Sequence, residues 1–372
     1  MIRPTSPEDS GVLLARRTAR TTGNPDRPRQ PDGKDRPDRR RADRLRAAGL
    51  LVALLALFLI AVLSVSVGAR SIPFGTVLRG LFSPDGTENA VIVQDYRLTR
   101  TLLGLAVGAG LGLAGALMQA LTRNPLADPG LLGIESGASA AVVTAIGFLG
   151  ITSPSGYVWF AMAGSALTAA AVYTLGTAGR GAPSPIRLVL AGTAVNASLI
   201  AGISTLTFLD RDSFAALRVW SVGTLAGRGD DVLLRVLPFL LAGLLLALAL
   251  GGPLNALALG DELGSALGAR PARTRVLGAL AVALLCGAAT AAVGPIGFVG
   301  LIVPHAVRLV TGPDQRWLLA YCLVLSPALL LGADVLGRLL VRPDELAVGL
   351  VTAALGAPVL VVLVRRRKVP QL

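Results

Sequence analysis

From Leu50 to Val364 the chain is a succession of apolar stretches, most of them long enough to cross a bilayer. A hydrocarbon layer about 30 Å thick takes about 20 apolar residues to span as a helix. Inside lipid every backbone N–H and C=O must be satisfied by the structure itself, which leaves only helices and closed barrels. The alternating segments of about ten residues that mark a membrane barrel are missing, so the stretches predict an all-α polytopic membrane protein. Composition agrees, with 53% hydrophobic residues, 15% charged residues and a mean hydropathy of +0.67.

The stretches lie near 50–67, 101–121, 136–151, 158–178, 187–208, 232–251, 272–293, 296–311, 317–333 and 349–364. Those at 136–151 and 296–311 are short and contain Gly or Pro, and periodicity alone leaves them open. Residues 1–46 are rich in Arg, Asp, Pro and Thr and are expected to form a disordered basic tail, because such a composition buries too little surface to offset ordering. That segment is too long and too polar for an ordinary signal peptide, and Leu50–Val67 reads as an uncleaved first span.

A net charge of +13 would suggest nucleic acid in a soluble protein. Here 13 of the 35 basic residues fall in the first 46 positions, and Arg365-Arg366-Arg367-Lys368 closes the other end. Both clusters flank apolar helices, the positive-inside pattern. With no aromatics interleaved among the arginines of the tail, nucleic acid is not an expected partner. The termini place both ends in the cytoplasm of a multi-pass cell (inner) membrane protein. Cys286 and Cys322 read as small core residues, and one histidine with two separated cysteines offers no metal site. Neither lysine completes a phosphate-binding loop, so the chain is not expected to hydrolyse ATP. No cofactor is expected.

Several polar islands interrupt the apolar pattern. Gln119–Gly133 carries Asn124-Pro125-Leu126-Ala127-Asp128-Pro129 between two glycine-rich stretches. Its backbone must meet water or protein, and Asn124, Pro125, Asp128 and Pro129 read as a capped structural hinge, with a buried ion site as the other reading. Arg97 and Arg100 share a helical face at the mouth of the second span; from the residues alone they could be snorkelling anchors. Gly260–Arg270 holds a short helix-competent piece with acids in its first turn. Gly104, Gly108 and Gly112 mark a face for close helix packing or for a pathway. His305 follows Pro304 and reads as a structural hydrogen-bonding group or, alternatively, a proton relay.

Taken in order, Arg97-Leu98-Thr99-Arg100, the Asn124–Pro129 hinge, Gly260-Asp261-Glu262-Leu263 with Ala266–Arg270, Gly294–Arg308, and Asp334, Arg338, Pro343–Gly349 and Gly356-Ala357-Pro358 resemble the FecCD-type permeases. These are the membrane subunits of ABC importers for iron–siderophore complexes, haem and vitamin B12. Ala347 stands where the family usually has proline. The resemblance implies a ten-span domain over 47–368, a vitamin B12 permease-like (type II ABC importer) bundle. It implies a second permease subunit, identical or similar, two ATP-binding ABC subunits, an extracytoplasmic substrate-binding protein, and Fe(III)–siderophore as substrate, with haem or vitamin B12 as alternatives. By resemblance Arg97, Arg100 and Arg338 dock the binding protein. Asp261, Glu262, Leu263 and Gly268 contact the ATPase, and the span carrying Thr193, Asn196 and Ser198 lines the pathway. An ion-coupled secondary transporter would need intramembrane carboxylates, which these spans almost lack.

Overall fold

A computed structural model describes residues 35–68, 70–82, 86–178, 185–209 and 211–365. The order is α1 (Asp35–Ser66), α2 (Phe74–Phe82), α3 (Glu88–Val91), a π-helical segment (Ile92–Leu98), α4 (Thr99–Thr122), a 3-10 turn (Pro129–Leu132), α5 (Ile134–Leu149), α6 (Pro154–Thr177), α7 (Pro185–Leu209) and α8 (Arg211–Trp220). There follow α9 (Asp230–Ala249), α10 (Gly251–Ala258), α11 (Asp261–Ala266), α12 (Pro271–Val293), α13 (Val299–Thr311), α14 (Gln315–Leu340) and α15 (Val348–Arg365). No strand occurs among the described residues. Seven helices are long and apolar enough to cross a membrane, and the shorter apolar helices α5, α13 and α15 occupy the remaining expected places.

Contacts divide the chain at Ala47/Ala48. In the first unit the described residues 35–47 are the polar start of α1, where Arg46 pairs with Asp43 at 3.4 Å. Residues 35–46 are thus helical and continuous with the rest of α1. A helix already nucleated by an apolar span extends at little cost through good helix formers such as Arg and Ala. Residues 1–34 lie outside the described residues.

Within the second unit, hydrogen bonds tie helix ends into two sets. The ends of α1 and α14 and the starts of α4 and α15 meet through Arg97, Arg100 and Arg338. The loop after α8 joins the same set, Thr224 N–H donating to Val293 O at the end of α12 and Gly349 N–H to Gly223 O. In the other set, Arg123 at the end of α4 reaches Leu257 and Asp261, and Asn255 reaches Asp314 at the start of α14. α4 starts in the set where α1 ends and α15 in the set where α14 ends, while α4 ends and α14 starts in the other set, the alternation that successive crossings require.

The centre is α4, packed on α12, α13 and α14. Its glycine face lets α14 approach to backbone contact. A Cβ on Gly108 would lie 2.6 Å from Pro327 Cα and one on Gly104 2.5 Å from Leu331 Cδ2. The packing reading of this stripe therefore holds. Gly108→Ala is expected to destabilise the protein by about 1–3 kcal/mol through overpacking, lowering the melting temperature in detergent. Gly332→Ala, with nothing within 4 Å of the added carbon, is expected to be neutral or slightly stabilising.

Candidate functional site

Arg97, Arg100 and Arg338 converge at one end of the bundle, where α1 runs out. The last carbonyls of a helix lack intrahelical donors, and two of the arginines supply them. Arg97 Nη1 donates to Val65 O (3.2 Å) and Ser66 O (2.7 Å), and its Nη2 to Arg70 O (2.5 Å). Arg338 Nη1 donates to Ser64 O (2.8 Å) and Val67 O (2.5 Å), and its Nη2 to Ser64 Oγ (2.9 Å) and Asp334 Oδ2 (2.7 Å). Gly68 leaves room for the Arg97 guanidinium, since a Cβ there would sit 2.5 Å from Nη2.

Arg100 completes the cluster. Its Nε and Nη2 form a fork on Asp334, at 3.0 and 2.7 Å, while Nη1 donates to Glu345 Oε2 at 2.6 Å. Asp334 is fully buried, Arg338 1% exposed and Arg97 5%. The snorkelling alternative thus gives way to a set of internal, charge-assisted bonds. Only Arg100, with 12% of its side chain exposed, keeps an edge at the surface. Docking of a partner at Arg97 or Arg338 requires that the end of α1 release them. Asp334 and Glu345 carry no docking expectation, yet they hold the cluster together. The four-residue spacing of Asp334 and Arg338 within one helix is the signal for part of it. The cluster lines a depression of about 280 Å³ that also touches Arg70, Tyr96 and Arg228.

At the opposite set of helix ends, Asp261 opens α11 and binds two arginines. Arg123 Nη2 donates to Asp261 Oδ1 at 2.8 Å, and Arg275 Nη2 to Oδ1 and Oδ2 at 2.9 and 2.8 Å. Slight burial opposes ionisation, but the hydrogen bonds and charges of Arg275 and Arg123 outweigh it and hold the carboxyl below its ordinary range. A depressed carboxylate pKa stabilises above the unfolded value, so this contribution is present at neutral pH and lost on acidification through the folded value. Glu262 and Gly268 are exposed, and Gly268 turns the chain at φ +84°. Leu259, Leu263 and Leu267 are 55, 63 and 69% exposed within nine residues. Gly264 holds α11 against α10, where a Cβ would lie 2.8 Å from Ala256 O.

The Asn124–Pro129 segment folds on itself. Asn124 Oδ1 accepts from Leu126 N–H (3.0 Å), and Asp128 Oδ1 from Gly130 N–H (2.8 Å), with Pro129 starting the 3-10 turn. Arg123 adopts φ +50° to end α4. Burial, partly offset by the Gly130 N–H, raises the Asp128 carboxyl above its usual range. Gln119 then locks α13 to α4, its Nε2 donating to Leu301 O (3.3 Å) while its Oε1 accepts from Arg308 Nη1 (3.1 Å). His305 is buried there with Nδ1 unpartnered among the described residues.

Thr193, Asn196 and Ser198 lie on α7, only 6% of whose apolar window is buried, the least of the seven spans. Thr193 Oγ1 and Ser198 Oγ donate back to Leu190 O and Ala194 O, both at 2.9 Å, and remain exposed. Asn196 instead turns to α5 and accepts from Ser136 Oγ. The structure thus brings Arg97, Arg100 and Arg338 together and gathers the α11 residues at the other end, and it leaves α7 largely uncovered. Arg228, beside the arginine cluster, and Trp220 carried no sequence expectation of a site.

Seven helices long and apolar enough to cross a membrane, with three shorter apolar helices between and after them, define a multi-pass helical membrane protein. Residues 54–366 match the FecCD transport family, and the chain belongs to it. It is 47% identical over 306 residues to the ferric enterobactin transport system permease protein of Escherichia coli, covering 82% of this chain and 91% of that one. It is 38% identical over 314 residues to the hemin transport system permease protein of Yersinia pestis, covering 82% and 91%. A chain described as a metal-chelate type ABC transporter in an inward-facing conformation superposes with a TM-score of 0.75 at 29% identity, covering 86% of this chain and 99% of that one.

Proposed function

We propose that this chain is the permease subunit of an ABC importer that takes up Fe(III)–siderophore complexes. The reading rests on one observation, the 47% identity to a ferric enterobactin permease over nearly the whole apolar domain. The permease pairs with a second, identical or similar copy, and α7 with Thr193, Asn196 and Ser198 lines the pathway between them. Its exposed, self-satisfied hydroxyls suit passage of a large polar cargo without tight binding. ATP is hydrolysed by two separate subunits docked at α11, where Asp261 anchors the helix and Leu263, Glu262 and Gly268 face outward. A substrate-binding protein docks at the opposite face, meeting Arg100 first and Arg97 and Arg338 as the end of α1 yields. Asn124, Pro125, Asp128 and Pro129 form the hinge between α4 and α5. Both termini lie in the cytoplasm, the side that their basic clusters favour.

The test is uptake of radiolabelled iron, presented as a panel of siderophores, in cells lacking this chain and in cells re-expressing it. Loss for one chelate class with recovery on re-expression is the expected result. Unchanged iron uptake together with lost haem uptake would move the assignment to haem, which the 38% identity to a hemin permease favours as the second reading.

A further inference from the structure

Next to the arginine cluster lies a second cavity, of about 320 Å³, between the α5–α6 turn and the loop after α8. Ile146, Pro154, Tyr157, Trp220, Thr224 and Arg228 line it. The two depressions share Ala226, Gly227 and Arg228. Four of the arginines lining the first are engaged by carbonyls or carboxylates: Arg97, Arg338, Arg100 and Arg70, the last on Glu88 at 2.5 Å. Arg228 differs. It is 8% exposed, its Nη1 donates to the neutral Tyr157 hydroxyl at 2.5 Å, and no carboxylate pairs with it among the described residues. Its Nε has no partner among the described residues, and neither does Nε1 of Trp220, which is 2% exposed.

Two unpartnered donors, one of them charged, are costly to bury against apolar walls. A buried guanidinium that lines a cavity with no carboxylate against it among the described residues calls for an acceptor carrying negative charge. The walls specify the rest of the occupant. Tyr157 and Trp220 offer ring faces and edges, and the Arg228 guanidinium carbon lies 5.9 Å from the Tyr157 ring centroid, a setting that favours another flat π system. An apolar cavity of about 150 Å³ is enough for benzene, so this one has room for a substituted ring. It stands at the low end for a whole drug-sized ligand, about 300–1,000 Å³, and admits only one arm of a larger chelate.

We infer that the Trp220–Arg228 cavity is a binding subsite for an aromatic oxyanion, such as the phenolate or catecholate arm of an incoming ferric chelate. Its use in transport rests on the ferric chelate reading above; its ligand chemistry does not. Tyr157 holds one edge of the guanidinium through Nη1, the rest of Arg228 lines the space for the oxyanion, and Tyr157 and Trp220 wall the ring.

The test uses the full-length protein in nanodiscs with Trp159→Phe and Trp317→Phe, which leaves Trp220 as the sole tryptophan. Benzoate, cyclohexanecarboxylate and acetate are titrated against its fluorescence. Saturable quenching in the order benzoate, cyclohexanecarboxylate, acetate is expected. Arg228→Gln should weaken benzoate at least about tenfold, the loss of one charged hydrogen bond, and Arg70→Gln should not. Equal response to all three ions, or none, overturns the inference, as does quenching by an acidic peptide alone. If the single-tryptophan protein fails to assemble, calorimetry on the wild type and Arg228→Gln with the same ions decides. In cells, Arg228→Gln should slow uptake of catecholate chelates at least fivefold and leave hydroxamate chelates unchanged. Equal slowing of both overturns the subsite. A wild type that carries no ferric chelate but binds benzoate overturns the transport reading and leaves the subsite standing.

Discussion

Arg338→Ala is expected to cost about 3–5 kcal/mol, the range for breaking a buried ion pair. The guanidinium is 1% exposed and supplies donors to Ser64 O, Val67 O, Ser64 Oγ and Asp334. Removing it leaves the end of α1 uncapped and gives the fully buried Asp334 one arginine in place of two. Asp334→Ala should cost at least as much, because Arg100 and Arg338 would then face one another with only Glu345 to balance them. Arg338→Lys should recover little, since an ammonium cannot span a carboxylate and two carbonyls in one plane. The double variant Arg338→Met with Asp334→Leu should cost clearly less than the two single losses combined, because partners in one network do not act additively. Arg70→Ala is the contrast. Its pair with Glu88 has side chains 56 and 74% exposed and should matter by less than about 1 kcal/mol after solvent screening. Melting in detergent of purified variants gives the ranking. An Arg338→Ala protein that melts with wild type, beside impaired uptake, would mean that the arginine serves partner docking and not the end of α1.

Much of this architecture is legible in the chain because lipid imposes length. Each stretch of about 20 apolar residues became a helix at its expected place. The misplacements have causes. α14 runs on to Leu340, beyond the apolar limit near 333, because Asp334 and Arg338 cancel one another's charge inside the helix. α13 starts at Val299 because Gly294 and Phe298 take positive φ just before it. α1 starts at Asp35 because a polar, helix-forming stretch can ride on an apolar span. The candidate sites were less legible. Sequence places Arg97, Arg100 and Arg338 at helix ends, but whether they point to solvent depends on carbonyls some 30 to 270 positions away. Arg228 sits in an ordinary-looking glycine loop, and only the cavity beside Trp220 distinguishes it from other loop arginines.

Leu263→Glu is expected to reduce uptake at least about tenfold, equivalent to about 1.4 kcal/mol of lost coupling, with protein level and melting temperature unchanged. Leu263 lies outside the spans and is 63% exposed, and substitutions at such positions stay within about 0.5 kcal/mol of neutral for the fold. An exposed leucine flanked by exposed Leu259 and Leu267 is poor surface chemistry for a subunit that works alone. It is good chemistry for one whose α11 is covered by a partner, because apolar contact at the centre of an interface carries much of its energy. A buried glutamate there would lack a partner and repel the dock. Glu262→Gln, at the rim, should change little. Asp261→Asn tests the base of the same element. It removes the charge that binds Arg123 and Arg275 and should loosen α11 without removing its apolar contact, so its loss of uptake should be smaller than that of Leu263→Glu. ATPase activity of the reconstituted complex separates the outcomes. Uncoupled or absent stimulation by Leu263→Glu places the ATPase on α11, and full stimulation with normal uptake would exclude this helix as the contact.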